Sequence, residues 1–337
     1  MVTIKDISKE CGVSPATVSK ALNGYGDVAK DTVARVMETA KRLHYMPNAA
    51  ARALKTSTSH SIGVIFQDDT DIEGGLTHEY FSVILNNAKI EAESRGYDIT
   101  FINRNFGDSY LEHCRYRNFD GVLVVCADFT AKDMFDLAGS DFPLVSIDFS
   151  YDSRSNVMSD NVSGTYSLVK YLVSKGHRRI AFIHGEDTSV TKKRLTGFYK
   201  AMDEEGIDVP DEYVIEGIYH DPKSGGLGTR KLLGLPHRPT AIMYSDDISF
   251  LGGRTEIVRH GLSIPDDISV VGYDGIKLAS MLRPELTTYN QDAKKIGRLS
   301  MAKLIDQIEN KKTCEIESIL VKGELYRGNT VRDLNKK

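Results

Sequence analysis

The chain has 337 residues, of which 41% are hydrophobic and 27% are charged, a composition typical of soluble globular proteins. No run approaches the roughly 18 apolar residues of a membrane helix, and the charged residues near the N-terminus argue against a signal peptide. The four cysteines are scattered along the chain, and their spacing fits neither a disulfide framework nor a zinc-binding motif. We therefore expect a cytoplasmic protein of two or three domains, with no metal or cofactor and no membrane partner.

The charge is divided unevenly along the chain. The formal net charge is −4, yet residues 1–60 hold nine Lys or Arg against five Asp or Glu, so the remainder is acidic. A basic N-terminal segment ahead of an acidic body indicates that the segment meets a polyanion such as nucleic acid.

The N-terminal segment predicts three short helices. Apolar residues recur at helical spacing in the first helix, which Gly12 ends. Ser14 is a favourable N-cap for the second helix, and Pro15 suits its first position because the missing N–H has no partner there. A longer third helix opens at Lys30 or Asp31.

The second of these helices carries an unusual polar face. In "VSPATVSK" three hydroxyls and a lysine accompany only two valines. A short helix, a tight turn and a second helix with small polar residues outside predict a helix-turn-helix, whose second helix lies in the major groove of DNA. Hydroxyls suit phosphates, and small or basic side chains suit base edges. A plain helical hairpin remains the alternative.

The next segment, "NAAARALK", favours a helix but is too short to be stable alone. It continues into the polar linker "TSTSH". A segment of this kind between two domains is predicted to fold on binding.

From Ser61 onward, apolar runs alternate with amphipathic helical stretches. The seven runs are "SIGVIF", "YDITFIN", "DGVLVV", "PLVSIDF", "RIAFIHG", "TAIMYSD" and "ISVVGYD". This alternation predicts an α/β fold of parallel sheets covered by helices, too long for one sheet and therefore divided into two lobes that break near Ser155–Asp160. Ligands of such sheets bind at the carboxyl ends of strands, so we expect a cleft between the lobes.

We expect a helix-turn-helix head over 1–47, a hinge helix and linker over 48–60, and a two-lobed core over 61–337. The N-lobe is expected to span about 61–160 and 290–320, and the C-lobe about 161–289 and 321–330.

Motifs of enzymes are missing from the sequence. It holds no GxSxG, no Walker A sequence and no GxGxxG linked to a strand. The stretch "HEYFS" begins like a zinc HExxH motif but ends in serine, so the second ligand is lacking. We expect no catalysis.

The chain resembles the lactose/galactose repressor family, LacI/GalR. The resemblance begins with "TIKDISKECGVSPATVSKALNG" and "YMPNAAARALK" in the head and continues through "GHRRIAFIHG", "RPTAIMYSDD" and "GLSIPDDISVVGYD". It covers essentially the whole chain. It implies a periplasmic-binding-protein-like core behind the helix-turn-helix head, and a dimer rather than a tetramer, because too few residues follow Gly328 for the C-terminal helix of tetrameric relatives.

The resemblance also implies residues for DNA binding. Phosphate contacts are expected from Thr3, Ser14, Thr17, Ser19, Asn23 and Thr32, and base contacts from Pro15, Ala16 and Lys20. In the hinge helix, over Asn48–Leu54, Leu54 is expected to enter a base step as a wedge beside Ala51, which kinks the duplex. Ala29 departs from the family, several of whose members have a phosphate-binding hydroxyl there.

Effector residues are implied in the same way. Arg194 precedes "LTGF", Asp274 follows "VVGY", Asp246 lies in "YSDD" and Asp148 in "SIDF". A guanidinium and carboxylates suit a polyhydroxylated ligand, because each can hold two adjacent hydroxyls. Aromatic stacking is expected from Tyr80–Phe81 and Tyr219. Alternatively Asp246 and Asp274 cap helices, and Tyr80 belongs to the core.

We therefore predict a dimeric DNA-binding transcriptional regulator whose affinity for an imperfect palindromic operator is controlled by a small molecule, expected to be a sugar. A purine or nucleoside effector ranks second. A carbon-catabolite regulator with a protein corepressor is disfavoured, since Lys294 and Ala302 stand where that subgroup has a tyrosine and an arginine. Rival classes are a transport-type sugar-binding protein, which needs a signal peptide and no head, and a Rossmann-type enzyme, which needs a phosphate loop.

Overall fold

The computed structural model describes residues 2–46, 58–67, 75–102 and 109–336. The chain divides into two compact units, Met1–Ser59 and His60–Lys337. Within the described ranges, no helix is long and apolar enough to cross a membrane.

Over residues 2–46, which the structure describes, the first unit contains the helices α1 (Ile4–Cys11), α2 (Pro15–Leu22) and α3 (Lys30–Arg42). Gly12 ends α1 with a φ of 63°, a left-handed conformation that glycine adopts without strain. The hydroxyl of Ser14 caps α2 by accepting a hydrogen bond from the N–H of Thr17 at 3.1 Å. The three helices share a small apolar core made by Ile7, Cys11, Val18, Ala21, Val36 and Ala40.

The described residues of the second unit form two six-stranded sheets. The strands are β1 (Ser61–Phe66), β2 (Asp98–Phe101), β3 (Gly121–Cys126), β4 (Leu144–Ile147), β5 (Ser155–Ser159), β6 (Ile180–His184), β7 (Val214–Glu216), β8 (Ala241–Tyr244), β9 (Ser269–Asp274), β10 (Thr287–Asn290), β11 (Ser318–Val321) and β12 (Glu324–Tyr326).

Each sheet forms one lobe. The first has the order β11-β5-β4-β3-β1-β2 and the second β12-β10-β9-β8-β6-β7. Neighbouring strands are parallel, except that β12 runs antiparallel to β10. This architecture confirms the predicted α/β fold class.

Helices cover both sheets. They are α4 (Glu79–Ser94), α5 (Tyr110–Tyr116), α6 (Lys132–Gly139), α7 (Asn161–Ser174), α8 (Ser189–Glu204), α9 (Pro222–Leu233), α10 (Ser249–Arg259), α11 (Lys277–Met281) and α12 (Ala293–Glu309), with short 3-10 turns at Gly75–Thr77 and Asp211–Tyr213.

The C-terminal segment that follows β10 ties the lobes together. After β10 of the second sheet, α12 packs against α4 on the first sheet, and β11 and β12 then return one strand to each sheet. Gly297 permits the close approach of α12 to α4, because a Cβ there would lie 2.3 Å from the carbonyl oxygen of Ile84. The polypeptide therefore crosses repeatedly between the lobes, and the carboxyl ends of their strands face a common cavity.

Candidate DNA-binding surface and effector cavity

Helix α2 has one buried face and one exposed face. Val18 and Ala21 lie in the core of the head, at 0% and 2% exposure. Pro15, Ala16 and Lys20, the three residues predicted to read bases, are exposed. The apolar residues of α2 therefore hold the helix against the head and leave these three side chains available to a partner.

Several of the hydroxyl and amide groups predicted to bind phosphate already form local hydrogen bonds. The Ser14 Oγ lies 2.9 Å from the Oγ1 of Thr17, and the Nδ2 of Asn23 donates to the carbonyl of Ser19 at 2.6 Å. Thr32 is half-buried on α3. These bonds fix the ends of α2, so the same side chains shape the helix that they are predicted to anchor.

Two other predicted DNA contacts are paired with exposed carboxylates. Thr3 donates its N–H and its hydroxyl to the Oδ2 of Asp6, at 2.8 and 2.7 Å, and these bonds lower the pKa of Asp6. The ammonium of Lys20 pairs with Asp27, a contact that is not evident in the sequence and that lowers the pKa of Asp27. A polyanion would have to compete with both carboxylates.

The predicted hinge contacts lie outside the described residues. Asn48, Ala51 and Leu54 belong to this set. Their roles stay predictions.

In the second unit, a cavity of about 650 Å³ opens at the carboxyl ends of both sheets. Its wall includes the predicted effector residues Phe81, Asp148, Arg194, Tyr219 and Asp274, and also Tyr80. Asp246 is the predicted effector residue that is absent from the wall. Loops at strand ends and the first turns of helices bring these positions together, although they lie far apart in the sequence. A volume of this size suits a small-molecule ligand.

Arg194 is held by several neighbours in the wall of the cavity. It projects from α8 and is 4% exposed. Its Nε donates to the Oδ1 of Asn161 at 2.8 Å and its Nη1 to the carbonyl of Ser245 at 2.5 Å. Its guanidinium lies 3.6 Å from the ring centroid of Tyr273. Burial opposes its charge, but neighbouring tyrosines and Asp274 raise the pKa of Arg194, so it stays cationic.

Asp274, the last residue of β9, faces Arg194. Its Oδ1 lies 3.9 Å from the Nη2 of the arginine and accepts a hydrogen bond from the Nε2 of Gln291 at 2.7 Å. Burial raises the pKa of Asp274 to about 7, although His220 and Arg194 act in the opposite direction. Among the described residues, the side chain of Asp274 accepts no hydrogen bond from the first turn of a helix. The alternative interpretation of Asp274 as a helix cap is therefore not supported.

Asp148 follows β4 of the first lobe and also lines the cavity. The hydroxyl of Tyr80 donates to its Oδ2 at 3.3 Å, and the N–H of Ser159 approaches its Oδ1 at 3.4 Å. Burial raises the pKa of Asp148, and Arg194 partly offsets this effect. Tyr80 is buried and also lines the cavity, so its two interpretations, core and pocket residue, describe the same side chain.

Three polar residues of this region share an uncommon backbone conformation. Asp148, His220 and Asp274 have φ angles of 61°, 58° and 103°. Residues other than glycine rarely adopt positive φ, and such strain concentrates at functional sites. All three residues line the cavity, Asp148 and Asp274 at the ends of strands and His220 in the loop after β7.

Asp246 requires a correction. It was expected to contact the ligand, yet it is fully buried and does not line the cavity. Its oxygens accept hydrogen bonds from the N–H groups of Ile248, Ser249 and His220 at 3.0, 2.7 and 2.9 Å. Burial opposes its charge, but His220 and these N–H groups outweigh burial and lower its pKa. We therefore assign Asp246 to the support of the first turn of α10 and of the His220 loop, because a carboxylate with these partners has little capacity left for a ligand.

The aromatic residues of the wall surround the polar groups. The Phe81 ring packs edge-on against Phe66, with centroids 5.4 Å apart. The Tyr219 hydroxyl pairs with the Oγ1 of Thr191 at 2.9 Å, which fixes the ring 5.5 Å from the Arg194 guanidinium. Phe149, which the sequence analysis did not select, lines the cavity as well. Flat apolar surfaces therefore border the charged centre.

Two histidines of the wall were not predicted. His78 precedes α4 and His220 follows Tyr219, and their ring centroids lie 4.0 Å apart. Burial lowers the pKa of His78 to about 4. Burial also opposes the protonation of His220, but Asp246 outweighs it and raises the pKa of His220. The only sequence signal was the half-matched zinc motif that begins at His78.

Two known domain families match parts of the chain. Residues 3–48 match the family described as bacterial regulatory proteins, lacI family, and residues 169–331 match a periplasmic binding protein-like domain. These matches correspond to the three-helix unit and to most of the second lobe.

Similar proteins and structures extend this likeness over the full length. The HTH-type transcriptional repressor PurR of Vibrio cholerae serotype O1 is 32% identical over 100% of both chains. The PurR repressor of Pasteurella multocida is 35% identical over 92% of this chain and 93% of that protein. The solved lac repressor dimer bound to operator and the anti-inducer ONPF is 26% identical, with a TM-score of 0.81 over 98% of this chain and 99% of that chain. A complex of the transcriptional regulator CelR with cellobiose is 25% identical, with a TM-score of 0.70 over 98% and 100%.

The head, the two lobes and the cavity at their strand ends are thus the parts of one known architecture. A PurR repressor is 32% identical to this chain over the whole length of both proteins. The chain therefore belongs to the LacI family and is a DNA-binding transcriptional repressor.

Proposed function

We propose that this repressor binds a hydroxyl-rich effector, a sugar or a sugar derivative, in the cavity of its second unit. The observation that carries the proposal is the convergence of Arg194, Asp148 and Asp274 on one cavity bordered by aromatic rings. Carboxylates accept and the guanidinium donates, so together they can satisfy both roles of a ligand hydroxyl. The rings of Phe81 and Tyr219 offer the flat surface that the apolar face of a pyranose needs.

The wall is rich in acids, which favours hydroxyl donors. Besides Asp148 and Asp274, it includes Glu186 and Asp187. A purine presents several ring nitrogens and carbonyl oxygens that accept hydrogen bonds, and ionised carboxylates cannot donate to them. A further, weaker argument is that one structural neighbour, the transcriptional regulator CelR, was solved with cellobiose.

A purine or nucleoside effector is the second candidate. It is favoured by the name PurR of the curated relatives, which are 32–35% identical to this chain. Besides Arg194, Gln291 and the protonated fraction of Asp274 are groups of the cavity that could donate to a ring nitrogen.

Control of DNA binding follows from a two-state equilibrium. An effector that prefers one arrangement of the lobes shifts the protein towards it, and DNA that prefers the other arrangement opposes the effector. Because this coupling is reciprocal, operator DNA must weaken or strengthen effector binding by the same factor as the effector changes DNA binding.

The proposed assembly is a cytoplasmic homodimer on an imperfect palindrome. A two-fold dimer presents two equivalent recognition helices, each with Pro15, Ala16 and Lys20, to two half-sites. The lac repressor neighbour was solved as a dimer bound to operator.

Leu54→Ala is expected to weaken operator binding more than non-specific binding, because a wedge acts only where the duplex is kinked.

The test of the effector is calorimetry of the full chain with mono- and disaccharides, sugar phosphates, hypoxanthine and guanine. We expect binding of a sugar ligand that Asp274→Asn weakens about 10- to 100-fold, because it removes a charge-assisted hydrogen bond worth about 1.5–3 kcal/mol. The exposed Asp152→Asn is the matched control and should bind as the wild type does. Tight binding of a purine with no response to any sugar would replace the first candidate by the second.

A further inference from the structure

His78 is an anomaly of the cavity wall. It is 8% exposed, and neither of its ring nitrogens has a hydrogen-bond partner within the described ranges of the chain. A buried polar group without a partner costs on the order of 1–3 kcal/mol, so an imidazole in this position implies something that its nitrogen contacts. The proposed effector residues do not supply that partner.

A second histidine and a carboxylate lie next to it. His78, His220 and Asp274 each offer a ligand atom, and these three atoms lie within 4.8 Å of one another. The two rings are inclined by 54°, with centroids 4.0 Å apart, so they are not stacked in parallel. Three converging nitrogen and oxygen donors are the set that zinc sites with an open fourth position use.

The surroundings orient two of these donors. The Nδ1 of His220 lies 3.6 Å from the Oδ1 of Asp246, and the N–H of His220 donates to Asp246 at 2.9 Å. The backbone hydrogen bond holds the His220 loop against Asp246, whereas the ring Nδ1 has no hydrogen-bond partner among the described residues. The Nε2 of Gln291 holds Asp274 through its Oδ1, at 2.7 Å. Metal-binding histidines and carboxylates are commonly held by partners of this kind.

We propose that His78, His220 and Asp274 form a binding site for a Zn²⁺ ion, with the fourth position open to the cavity. Two imidazoles favour zinc over Mg²⁺ and Ca²⁺, which prefer oxygen ligands. The site goes beyond the proposed effector binding and does not depend on it. Its residues are distant in sequence, and only the partial motif "HEYFS", which begins at His78, hints at it.

The ion would join the two lobes. His78 lies just before α4, which packs on the first sheet, whereas His220 and Asp274 belong to the second lobe. Zinc therefore stabilises the lobe arrangement in which the three donors converge and shifts the equilibrium on which operator affinity depends.

The test is titration calorimetry of Zn²⁺ into the full chain, free of any affinity tag, treated with chelator and without sugar. We expect one ion per chain. His78→Gln and His220→Gln should each lower the zinc affinity about 100-fold or more, since loss of even a supporting group typically costs 10–100-fold. His260→Ala removes an exposed imidazole at the end of α10 and is the matched control, with unchanged affinity expected.

Cobalt supplies a second readout. Co²⁺ in the same site is expected to give the visible absorption of a four-coordinate ion, and this absorption should be lost in both glutamine variants. Wild-type protein that binds no Zn²⁺, or glutamine variants that are folded by circular dichroism and bind it as the wild type does, would overturn the proposal. A sugar titration into the metal-free wild type tests the effector separately, so either proposal can fail alone.

Discussion

The head and the cavity place their charged groups in opposite environments. In the head, Lys20 and Asp27 form an ion pair whose side chains are 48% and 56% exposed. In the cavity, Arg194 and Asp274 face each other with side chains that are 5% and 4% exposed. An exposed pair exchanges partners at little cost, whereas a buried pair is part of the packed interior. The head can therefore present its charges to DNA without losing stability, whereas removal of a charge from the cavity is expected to destabilise the second unit.

Arg194→Ala should have the largest effect on folding. The variant leaves Asp274, Asn161 and the Ser245 carbonyl without their cationic partner, so we expect the free energy of unfolding of the second unit to fall by about 3 kcal/mol. Urea denaturation followed by circular dichroism measures it. Arg254→Ala, on an exposed position of α10, is the matched control and should change stability by no more than about 0.5 kcal/mol. Equal stabilities of the two variants would remove the contrast between the regions.

Lys20→Ala should affect DNA recognition and leave folding nearly unchanged. Loss of a base contact is expected to cost about 1–3 kcal/mol of operator binding and to relax the preference at one position of each half-site. Gel shifts on operator and random DNA measure this difference. Lys9→Ala, on an exposed position of α1, is the matched control and should weaken both DNAs equally or not at all. Equal losses of Lys20→Ala on both DNAs would assign Lys20 to phosphate instead.

His177 is remote from both sites, and we expect its burial to have a smaller effect on stability than the burial of Arg194. Burial lowers its pKa, and its ring nitrogens contact the Oγ1 of Thr240 and the carbonyl of Arg332 at 2.9 and 3.2 Å. Below the ordinary histidine pKa of about 6.5, the unfolded chain binds a proton that folded His177 refuses. Stability is therefore lost as the pH falls through that value.

The comparison of His177→Gln with the wild type isolates this contribution. The variant should lose less stability between about pH 7.5 and pH 5.5 than the wild type does, as measured by urea denaturation at each pH. The exposed His237→Gln should follow the wild-type curve. A steeper loss in His177→Gln would contradict the direction of the pKa shift.

The sequence by itself predicted the elements whose signals are local. The seven strands with long apolar runs coincide with strands of the structure, and Gly12 and Ser14 end and begin helices where caps were expected. Strands β5, β7, β10, β11 and β12 were not predicted. They are at most five residues long, and several have a polar composition. Neither hydrophobic periodicity nor segment length therefore identifies them in the sequence.

The cavity shows what only the tertiary structure decided. Sequence resemblance named Arg194, Asp148 and Asp274, but it could not distinguish Asp246, which supports α10 and His220, from a residue of the wall. His78 and His220 adjoin only because α4 and the Tyr219 loop meet at the cavity, a contact between segments remote along the chain. Helix caps and strand periods depend on neighbours in sequence, whereas burial, strained φ and the partner of a charge depend on the packing of whole elements. The first are therefore readable from the sequence of this repressor, and the second only from its folded lobes.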